Sequence, residues 1–444
     1  MGRIAWLVIA LVACGDDGTT NNDGGPPGDG SAADGAVIGG ASCEALAMPQ
    51  GRVVNVTPKD DLRQVGLAAQ DGDVLVLADG TYDVTADVAM QLVAANVTLI
   101  SASRDASKVI IDGGAHASRE ILQVGASNVT IAHVTIKNAR DHAIHFAPRG
   151  SDITSGLVYG VVLVDAGQQF IKSNPTGNGT PMNHVDGVTV VCSRFEMTPA
   201  GRAYVPTNPD NASYPCYTGG IDAHAARDWK VQRNVFTGIY CDVDSLAEHA
   251  IHFWRSGRDQ LIEQNTIINC ARGIGLGLGD AANGGYERTY ADDPHANDKL
   301  DPYAGNYDGI IRNNVIYTDT DGTTDVGIGL EQSLGTKVLN NTVVITGGAA
   351  GNAIEYRFRN SLVEIRNNIA TTIRERDNAR GTVMTNQLAP PLSQFVDAAA
   401  GDLHLAASAA DAIDQGAAHA DVTNDIDGDT RGATPDLGAD ELAR

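Results

Sequence analysis

Six short segments of the chain repeat one pattern of alternating apolar and polar residues, and this repetition limits the folds open to it. The segments are NVTIAHVTI (128–136), WKVQRNVF (229–236), DQLIEQNTI (259–267), DGIIRNNVI (308–316), TKVLNNTVV (336–344) and LVEIRNNIA (362–370). A period of two is typical of a β-strand with one buried face. Short strands that recur at intervals of about 20–30 residues predict a solenoid, in which each coil buries its apolar face against its neighbours.

An asparagine stands at the same place near the end of five of these segments: Asn234, Asn265, Asn314, Asn341 and Asn368. At a tight bend, asparagine tolerates a left-handed backbone and bonds its own main chain. Stacked asparagine side chains also bond the coils above and below, as ladders of amides do. We therefore predict that this column is architectural.

A second column of strands precedes the first in each coil. Its segments are EILQV (120–124), HAIHF (142–146), QFIKS (169–173), GIDAH (220–224), HAIHF (249–253), GIGLG (273–277), GIGLE (327–331) and AIEYR (353–357). Strand residues alternate sides, so we predict that the central apolar residue of each segment faces the core and the next residue faces outward. The predicted outward column is Gln123, His145, Lys172, Asp222, His252, Gly275, Gly329 and Glu355.

The position two residues further along each strand is predicted to face outward as well, and it holds Ala147, Asn174, His224, Trp254, Gly277, Glu331 and Arg357. Two coils carry long insertions, at about residues 198–219 and 279–307. These insertions bracket the middle strands and would stand as walls. The sequence thus predicts a groove on one exposed parallel sheet, built from residues far apart in the chain.

Composition limits the class of protein and its partners. The 444 residues suffice for one large domain or two ordinary ones, and 50 glycines with 5% aromatic residues favour a turn-rich β architecture over a helical bundle. A net charge of −24 repels phosphate backbones, so we expect no nucleic-acid partner. The same charge weakens, without excluding, a strongly anionic polysaccharide as the ligand.

The N-terminal residues MGRIAWLVIALVACGDDG contain one basic residue, a short apolar run and Cys14. The run is too short to span a membrane and indicates a secretory signal. Residues 11–14, LVAC, look like a bacterial lipobox in which Cys14 becomes the lipidated first residue; an ordinary signal peptide is the alternative. Residues 15–42 have almost nothing to bury and are expected to form a disordered tether. We expect an exported monomer, held at the bacterial outer membrane or cell surface by its lipid.

Five more cysteines follow Cys14: Cys43, Cys192, Cys216, Cys241 and Cys270. An exported protein meets an oxidising compartment, so disulfides are allowed. The odd number leaves at least one thiol free, and the spacing does not fix which cysteines pair.

The segments GDVLVLADGTY (72–82) and NVTLISASRDASKVIIDGG (96–114), with the asparagine-ended strands, resemble right-handed parallel β-helix proteins of the pectin-lyase-like class. The first segment is also similar to the polysaccharide lyase family that includes alginate lyases and chondroitinase B. The resemblance implies an all-β right-handed parallel β-helix over residues 43–390 that acts on a polysaccharide. That family uses a lysine base, an arginine and calcium-binding acids on adjacent strands, but GIGLGLGD (273–280) has no arginine where one is wanted. A short capping helix is predicted within TPKDDLRQVGLAA (57–69), which has a Thr-Pro start and early acids.

The segment AIDQGAAHADVTNDIDGDTRGATPDLGADE (412–441) is similar to a C-terminal motif of bacterial surface β-helix proteins. We expect residues 391–444 to cap the open end of the solenoid, because exposed strand edges recruit other chains. Asp425, Asp427 and Asp429 suggest calcium as a cofactor, although no glutamate stands at the twelfth place of an EF-type loop. The alternative is an acidic turn that pairs with Arg431.

Four residues on neighbouring strands are predicted to be catalytic: His252, His224, Lys172 and Arg255. His252 is the leading base because histidine titrates near neutrality. Lys172 and His224 are alternative bases, and Arg255 would neutralise a uronate carboxylate. A metal site formed by Asp222, His224 and His252 is a further alternative, but no metal-type spacing supports it.

The copies of HAIHF are not predicted to be equivalent. His145 occupies the slot of His252 but lies outside the bracketing insertions, so we expect it to be structural. His142 and His249 stand at the turn that enters each strand, where they are expected to bond the backbone.

Six further residues are predicted to bind substrate: Asp222, Trp254, Glu331, Asn174, Tyr286 and Tyr290. An exposed Trp254 would serve as a platform for a sugar ring, whereas an inward Trp254 would belong to the core. The tyrosines lie in the second insertion and either contact carbohydrate or pack that loop onto the helix.

These features predict a carbohydrate-active enzyme, with β-elimination by a polysaccharide lyase favoured over glycoside hydrolysis. Hydrolysis needs two carboxylates about 5–10 Å apart. The nearby candidates are Asp222 paired with either Glu248 or Glu331. A non-catalytic glycan-binding adhesin and a structural surface module are the alternatives.

Overall fold

The computed structural model describes residues 43–176, 182–278, 288–300, 303–319, 324–346 and 351–442. Over these residues the chain forms a right-handed parallel β-helix, in which strands of successive coils pair into long parallel sheets. The predicted fold class is confirmed. The predicted signal and tether, with Cys14, lie outside the described residues.

Three parallel sheets and one antiparallel pair hold the described strands. The ten-stranded sheet contains Val88–Leu92, Glu120–Val124, His142–Phe146, Gln169–Ser173, Gly219–His224, His249–Trp254, Arg272–Gly277, Val326–Glu331, Asn352–Arg357 and Ile373–Arg376. The eleven-stranded sheet contains Gly80–Asp83, Val109–Asp112, Thr135–Ala139, Val162–Ala166, Arg194–Glu196, Val235–Thr237, Thr266–Ile268, Val315–Thr318, Thr342–Ile345, Ile369–Ala370 and Gln387–Leu388. The fourteen-stranded sheet contains Val53–Val56, Val74–Leu77, Thr98–Ser101, Val129–Ala132, Gly156–Tyr159, Val188–Val191, Lys230–Gln232, Gly257–Arg258, Leu261–Glu263, Asn306–Tyr307, Ile310–Arg312, Ser333–Leu339, Leu362–Arg366 and Arg380–Met384. Phe395–Asp397 and Asp402–Leu405 form the antiparallel pair.

Helices are short and lie at the edges of the solenoid. Helix α1 (Leu62–Ala68) is the predicted capping helix, and the Asp61 carboxylate accepts hydrogen bonds from the backbone N–H groups of Arg63 and Gln64. Helix α2 (Pro199–Tyr204) is not among the predicted elements; Thr198 caps its first turn. The 3-10 helices are Ala106–Lys108, Val205–Thr207, Pro209–Asn211, Leu392–Gln394 and Ala398–Ala400. In the described part of the chain, no helix has the length and apolar character of a membrane span.

Strand pairing in the ten-stranded sheet confirms the predicted outward column. The pairs run Gln123–His145, His145–Lys172, Lys172–Asp222, Asp222–His252, His252–Gly275, Gly275–Gly329 and Gly329–Glu355. The central isoleucines, such as Ile221 and Ile251, are fully buried in one continuous core. This alternation gives each coil an inward apolar residue, while the outward residue differs from coil to coil.

The asparagine column forms a buried hydrogen-bonded ladder, as predicted. The Asn314 amide donates to Asn341 Oδ1 at 2.9 Å and accepts from Asn265 Nδ2 at 2.9 Å, and Asn386 extends the ladder beyond Asn368. The expected left-handed backbone is wrong for the ladder itself. It belongs to the residue before each ladder asparagine, for example Asn313 with φ 52°. The ladder residue is therefore used for its amide rather than for backbone tolerance.

Two disulfides and one free thiol account for the described cysteines. Cys43 pairs with Cys192 across 149 residues, and Cys216 pairs with Cys241. Cys270 is free and buried, which confirms that at least one thiol stays unpaired. The second disulfide ties the first insertion to the coils beside the groove.

The C-terminal segment, predicted to cap the open end of the solenoid, contacts the flank of several coils. The side chains of Asn313, Asn340 and Asn367 donate to backbone carbonyls of this segment. The buried Arg431 guanidinium donates to several carbonyls, including those of Gly438 and Ala439. Polar side chains at the left-handed turn positions therefore create a docking strip along several coils.

The acidic turn of this segment uses its carboxylate internally. Asp425 is fully buried, and its Oδ1 accepts from the backbone N–H groups of Asp427 (3.0 Å) and Asp429 (2.7 Å). Its Oδ2 accepts from the Glu441 N–H at 3.0 Å. Both oxygens thus stabilise a turn, which favours the acidic-turn alternative over a calcium loop.

Candidate active site

A cleft of about 350 Å³ opens on the outer face of the ten-stranded sheet. Its centre is formed by Asp222, Glu248, His249, His252 and Trp254, which come from two adjacent strands and the turn before the second. The groove predicted from column alignment is therefore present at the predicted strands.

Lys172, Asp222 and His224 form a buried polar cluster beside the cleft. The Lys172 ammonium donates to the Asp222 carboxylate and lies 3.2 Å from His224 Nε2. Asp222 Oδ1 also accepts a hydrogen bond of 2.7 Å from the Trp254 indole N–H. The outward column thus carries a connected network instead of separate solvated side chains.

The contacts in this network keep both Lys172 and Asp222 charged. Burial acts to lower the pKa of Lys172, but the Asp222 carboxylate outweighs it and raises that pKa above its usual value. Burial likewise opposes ionisation of Asp222, and Lys172 still holds the pKa of Asp222 well below its ordinary range. Lys172 is therefore held as a cation by Asp222, which does not favour its predicted role as the base.

His224 is held by protein groups on both ring nitrogens. Its Nε2 faces Lys172, and its Nδ1 lies 3.2 Å from Nδ2 of Asn174. Burial lowers the pKa of His224 to about 4. These contacts identify His224 and Asn174 as supports for the cluster and do not favour the predicted roles of His224 as a base and Asn174 as a substrate contact.

His252 is oriented by the next coil. A carbonyl oxygen only accepts, so the 3.2 Å contact with Gly277 O shows that Nε2 carries the proton and Nδ1 the lone pair. The ring stacks on Trp254 with centroids 5.1 Å apart. Burial lowers the pKa of His252 to about 4, so the ring is neutral at physiological pH.

His249 lies in the cleft, whereas the sequence predicts that it bonds the backbone at a turn. Its ring lies 4.4 Å from that of His252, centroid to centroid, and burial holds its pKa well below the usual value. A Cβ at Gly275 would come within 2.6 Å of His249 Nε2. The glycine on the next coil therefore makes room for this imidazole.

Trp254 is half-buried at the end of its strand and lines the cleft, so it is available as a platform. The Arg255 guanidinium lies 4.7 Å from the centroid of the indole. Arg255 thus braces Trp254, and the structure does not place it among the residues that line the cleft.

Three arginines that the sequence does not single out as catalytic line the cleft toward its C-terminal end, each beside a carboxylate. Arg272 lies 2.7 Å from Asp325, Arg357 lies 3.2 Å from Glu331, and Arg376 lies 2.9 Å from Glu355. Burial raises the pKa of Glu331 despite the opposing effect of Arg357, and burial also raises the pKa of Glu248. Extending the column alignment three positions upstream would have found Arg272, because it pairs in register with His249.

Tyr217 is a further lining residue that the sequence does not reveal, because it belongs to the first insertion. Its ring centroid lies 6.0 Å from Lys172 Nζ. Burial raises the pKa of Tyr217, although Lys172 opposes this effect, so the phenol keeps its proton at neutral pH.

The first copy of HAIHF has different surroundings. His145 Nδ1 lies 3.0 Å from Glu120 Oε1, and His142 Nδ1 donates to the Gln169 carbonyl at 3.0 Å. His142 thus bonds the backbone as predicted, and neither residue lines the cleft around His252.

In the described part of the second insertion, Tyr290 packs the loop against the β-helix. The Tyr290 hydroxyl donates to the Ser256 carbonyl at 2.8 Å, and Arg258 and Arg288 lie 5.1 and 5.2 Å from the centroid of its ring. Tyr290 is not among the residues that line the cleft, so the packing alternative is favoured for it. Tyr286 lies outside the described residues.

The coils and the polar cleft define a parallel β-helix protein with a candidate binding cleft on its ten-stranded sheet. No protein-family model matches the chain, and no curated protein matches it at a significant level. Among solved structures it is similar to pectate lyase Pel9A, with 11% identity and a TM-score of 0.49 over 88% of this chain and 96% of that one. It is also similar to an alginate lyase from Paenibacillus sp. str. FPU-7 (12%, TM-score 0.42, 76% and 99%) and to PfbA, a surface adhesin of Streptococcus pneumoniae (13%, 0.34, 71% and 82%). At these values none of the three bears on activity, and the fold class stands on the strand pairing itself.

Proposed function

We propose that the protein is a carbohydrate-active enzyme that cleaves a uronate-containing polysaccharide by β-elimination, with His252 as the proton acceptor. One observation carries the proposal: His252 lines the cleft with Nε2–H fixed on the Gly277 carbonyl, so that Nδ1 holds an accepting lone pair. A general base must present such a lone pair at the site where the substrate binds.

The surrounding groups have the remaining roles that elimination requires. The base removes the proton beside the uronate carboxylate, and the leaving oxygen gains a proton. Arg272 supplies positive charge near the carboxylate, and the Tyr217 phenol supplies a proton donor in the same cleft. Trp254 offers a flat apolar surface for a sugar ring.

Hydrolysis is the second candidate, because Asp222 and Glu248 line the same cleft. Two carboxyl groups on opposite sides of a glycosidic bond serve as acid and as nucleophile or base. Lys172 holds Asp222 ionised, which suits the second of these roles.

A glycan screen with two readouts separates the candidates. The purified protein is incubated with uronate-containing and neutral polysaccharides while absorbance of unsaturated products and new reducing ends are recorded. Unsaturated products are expected from uronate glycans alone. Reducing ends without absorbance would establish hydrolysis instead, and binding without either signal would leave a glycan-binding adhesin.

We also propose that the chain is exported and lipid-anchored through Cys14. The two disulfides support an oxidising compartment. Labelling with a fatty-acid analogue in a bacterial host is expected to mark the wild type and not Cys14→Ser, whereas equal labelling of both would leave an ordinary signal peptide.

A further inference from the structure

His249 carries a buried nitrogen that no group of the described residues satisfies. The residue is 7% exposed, and within the described ranges its Nδ1 has no hydrogen-bond partner. A buried polar atom left unpaired is costly, so each such atom needs an explanation. This atom belongs to a side chain that lines the cleft.

Two further ligand-type groups surround the same point. One ligand atom from each of Glu248, His249 and His252 lies within 4.8 Å of the others. Three ligand atoms bound at about 2.1 Å from one ion stand roughly 3–4 Å from one another. Small side-chain rotations therefore suffice to bring all three onto a single ion.

The His252 imidazole is already held as a metal ligand usually is. A ligating histidine typically donates its second ring N–H to a carbonyl or carboxylate, which fixes the ring and the tautomer. The His252 Nε2–H makes this bond to Gly277. A Cβ at Gly275 would lie 2.6 Å from His249 Nε2, so the glycine leaves room for this ring.

The charges around this point favour a cation. Among the described lining residues there are five carboxylates and three guanidinium groups: Asp222, Glu248, Asp325, Glu331 and Glu355 against Arg272, Arg357 and Arg376. Lys172 pairs with Asp222 and adds a fourth cation, so the carboxylates exceed the cations by one. Arg272 is 3.9 Å from Glu248 but 2.7 Å from Asp325, so Glu248 is the less closely paired of these two carboxylates. Glu248 is left as a carboxylate ligand.

We propose that Glu248, His249 and His252 form a binding site for one divalent transition-metal ion of the zinc class. Two imidazoles and one carboxylate suit zinc and its neighbours better than calcium, which takes oxygen ligands. Three protein ligands leave coordination positions open toward the cleft. The site differs from the trio Asp222, His224 and His252 suggested by the sequence, because Asp222 and His224 are committed to Lys172.

One consequence rests on the proposed function, whereas metal binding itself does not. A metal ion on His252 occupies the imidazole that accepts the proton during elimination. The metal-loaded protein is therefore inactive, and the metal-free protein is the active form.

The test uses tag-free protein stripped with a chelator and then titrated with Zn²⁺ alone by calorimetry, with Co²⁺ absorption as a spectroscopic check. One ion per chain is expected, and His249→Gln and Glu248→Gln should each weaken binding by more than about 100-fold. His142→Gln is the matched control, because His142 has the same place in the first HAIHF copy but donates to Gln169. That variant should bind zinc as the wild type does.

The outcomes separate the two proposals. Absence of stoichiometric binding, or binding that survives both ligand substitutions in folded protein, overturns the metal site whatever the enzyme does. Zinc binding without any cleavage by the stripped protein supports the site and overturns the proposed function. Circular dichroism on each variant shows that loss of binding does not reflect loss of the fold.

Discussion

Lys172 and Asp222 face each other on adjacent strands of the ten-stranded sheet and form a buried ion pair. The pair converts part of an outward column into an internal one, because the insertion that carries Tyr217 covers it. Removal of one partner of this ion pair should therefore destabilise the protein more than removal of both.

Replacing only Lys172 strands a buried carboxylate. We expect Lys172→Met to lower the free energy of unfolding by about 3–5 kcal/mol, whereas Lys172→Met with Asp222→Leu should cost much less. Urea denaturation followed by circular dichroism measures both. If the double variant lost as much free energy of unfolding as Lys172→Met and Asp222→Leu lose together, the unpaired charge would not be the cause of the loss.

Removing the proposed base should affect catalysis more than stability. His252→Gln keeps a hydrogen-bond donor but cannot accept a proton, so kcat should fall by at least about 100-fold. The control is His145→Gln, which changes the same slot of the sheet where Glu120 holds the ring. Unsaturated-product absorbance gives the rates, and equal losses in both variants would exclude a specific role for His252.

Trp254 should contribute to substrate affinity. Trp254→Phe loses aromatic area and the N–H that bonds Asp222, and we expect KM to rise about fivefold, equivalent to about 1 kcal/mol. Tyr290→Phe should leave KM unchanged, since its hydroxyl bonds only Ser256 in the described structure. If KM rose for Tyr290→Phe and not for Trp254→Phe, substrate would bind at the second insertion instead of at Trp254.

Substitution of an asparagine in the middle of the ladder should destabilise the protein more than substitution at its end. Asn314→Ala removes an amide that both donates and accepts in a buried site, and the stranded groups should cost about 2–4 kcal/mol. Asn386→Ala, at the end of the ladder, leaves fewer groups without partners and should cost less. Denaturant midpoints provide the comparison, and equal losses would show that the ladder does not act through its neighbours.

His404 should make stability fall in alkaline solution. Its contact with Asp427, and with Asp402, raises its pKa from 6.5 to about 9. A pKa raised by folding gives stability that is fully present below about pH 6.5 and is lost as pH rises through 9. The loss is on the order of 3 kcal/mol. Melting temperatures of the wild type and His404→Gln at about pH 6 and about pH 10 test this, and the variant should lack most of the decrease.

Alignment of short strands was sufficient to predict the solenoid, the outward column and the place of the groove, because a parallel sheet repeats one register from coil to coil. It could not assign charge states. Lys172 differs from a solvated lysine only because Asp222 and an insertion enclose it.

The same limit applies to the residues that sequence alignment missed. Tyr217 reaches the cleft from an irregular segment, which has no register to align. The sequence predicts His249 at a turn, and the space for its ring over the sheet depends on Gly275 of the next coil. The C-terminal segment could not be placed either, since its docking strip is formed by turn residues of several coils.

The Cys43–Cys192 disulfide joins the beginning of the described chain to a coil far along the helix. Tension applied to the polypeptide ahead of Cys43 passes through this bond to Cys192 and bypasses the strands between Val53 and Val191. The first coils therefore bear little load, and they cannot be peeled away one at a time from the N-terminal side. In a protein held by its N-terminal end under flow, the load would enter the solenoid at Cys192, beside an inner strand, instead of at the edge strand Val53–Val56.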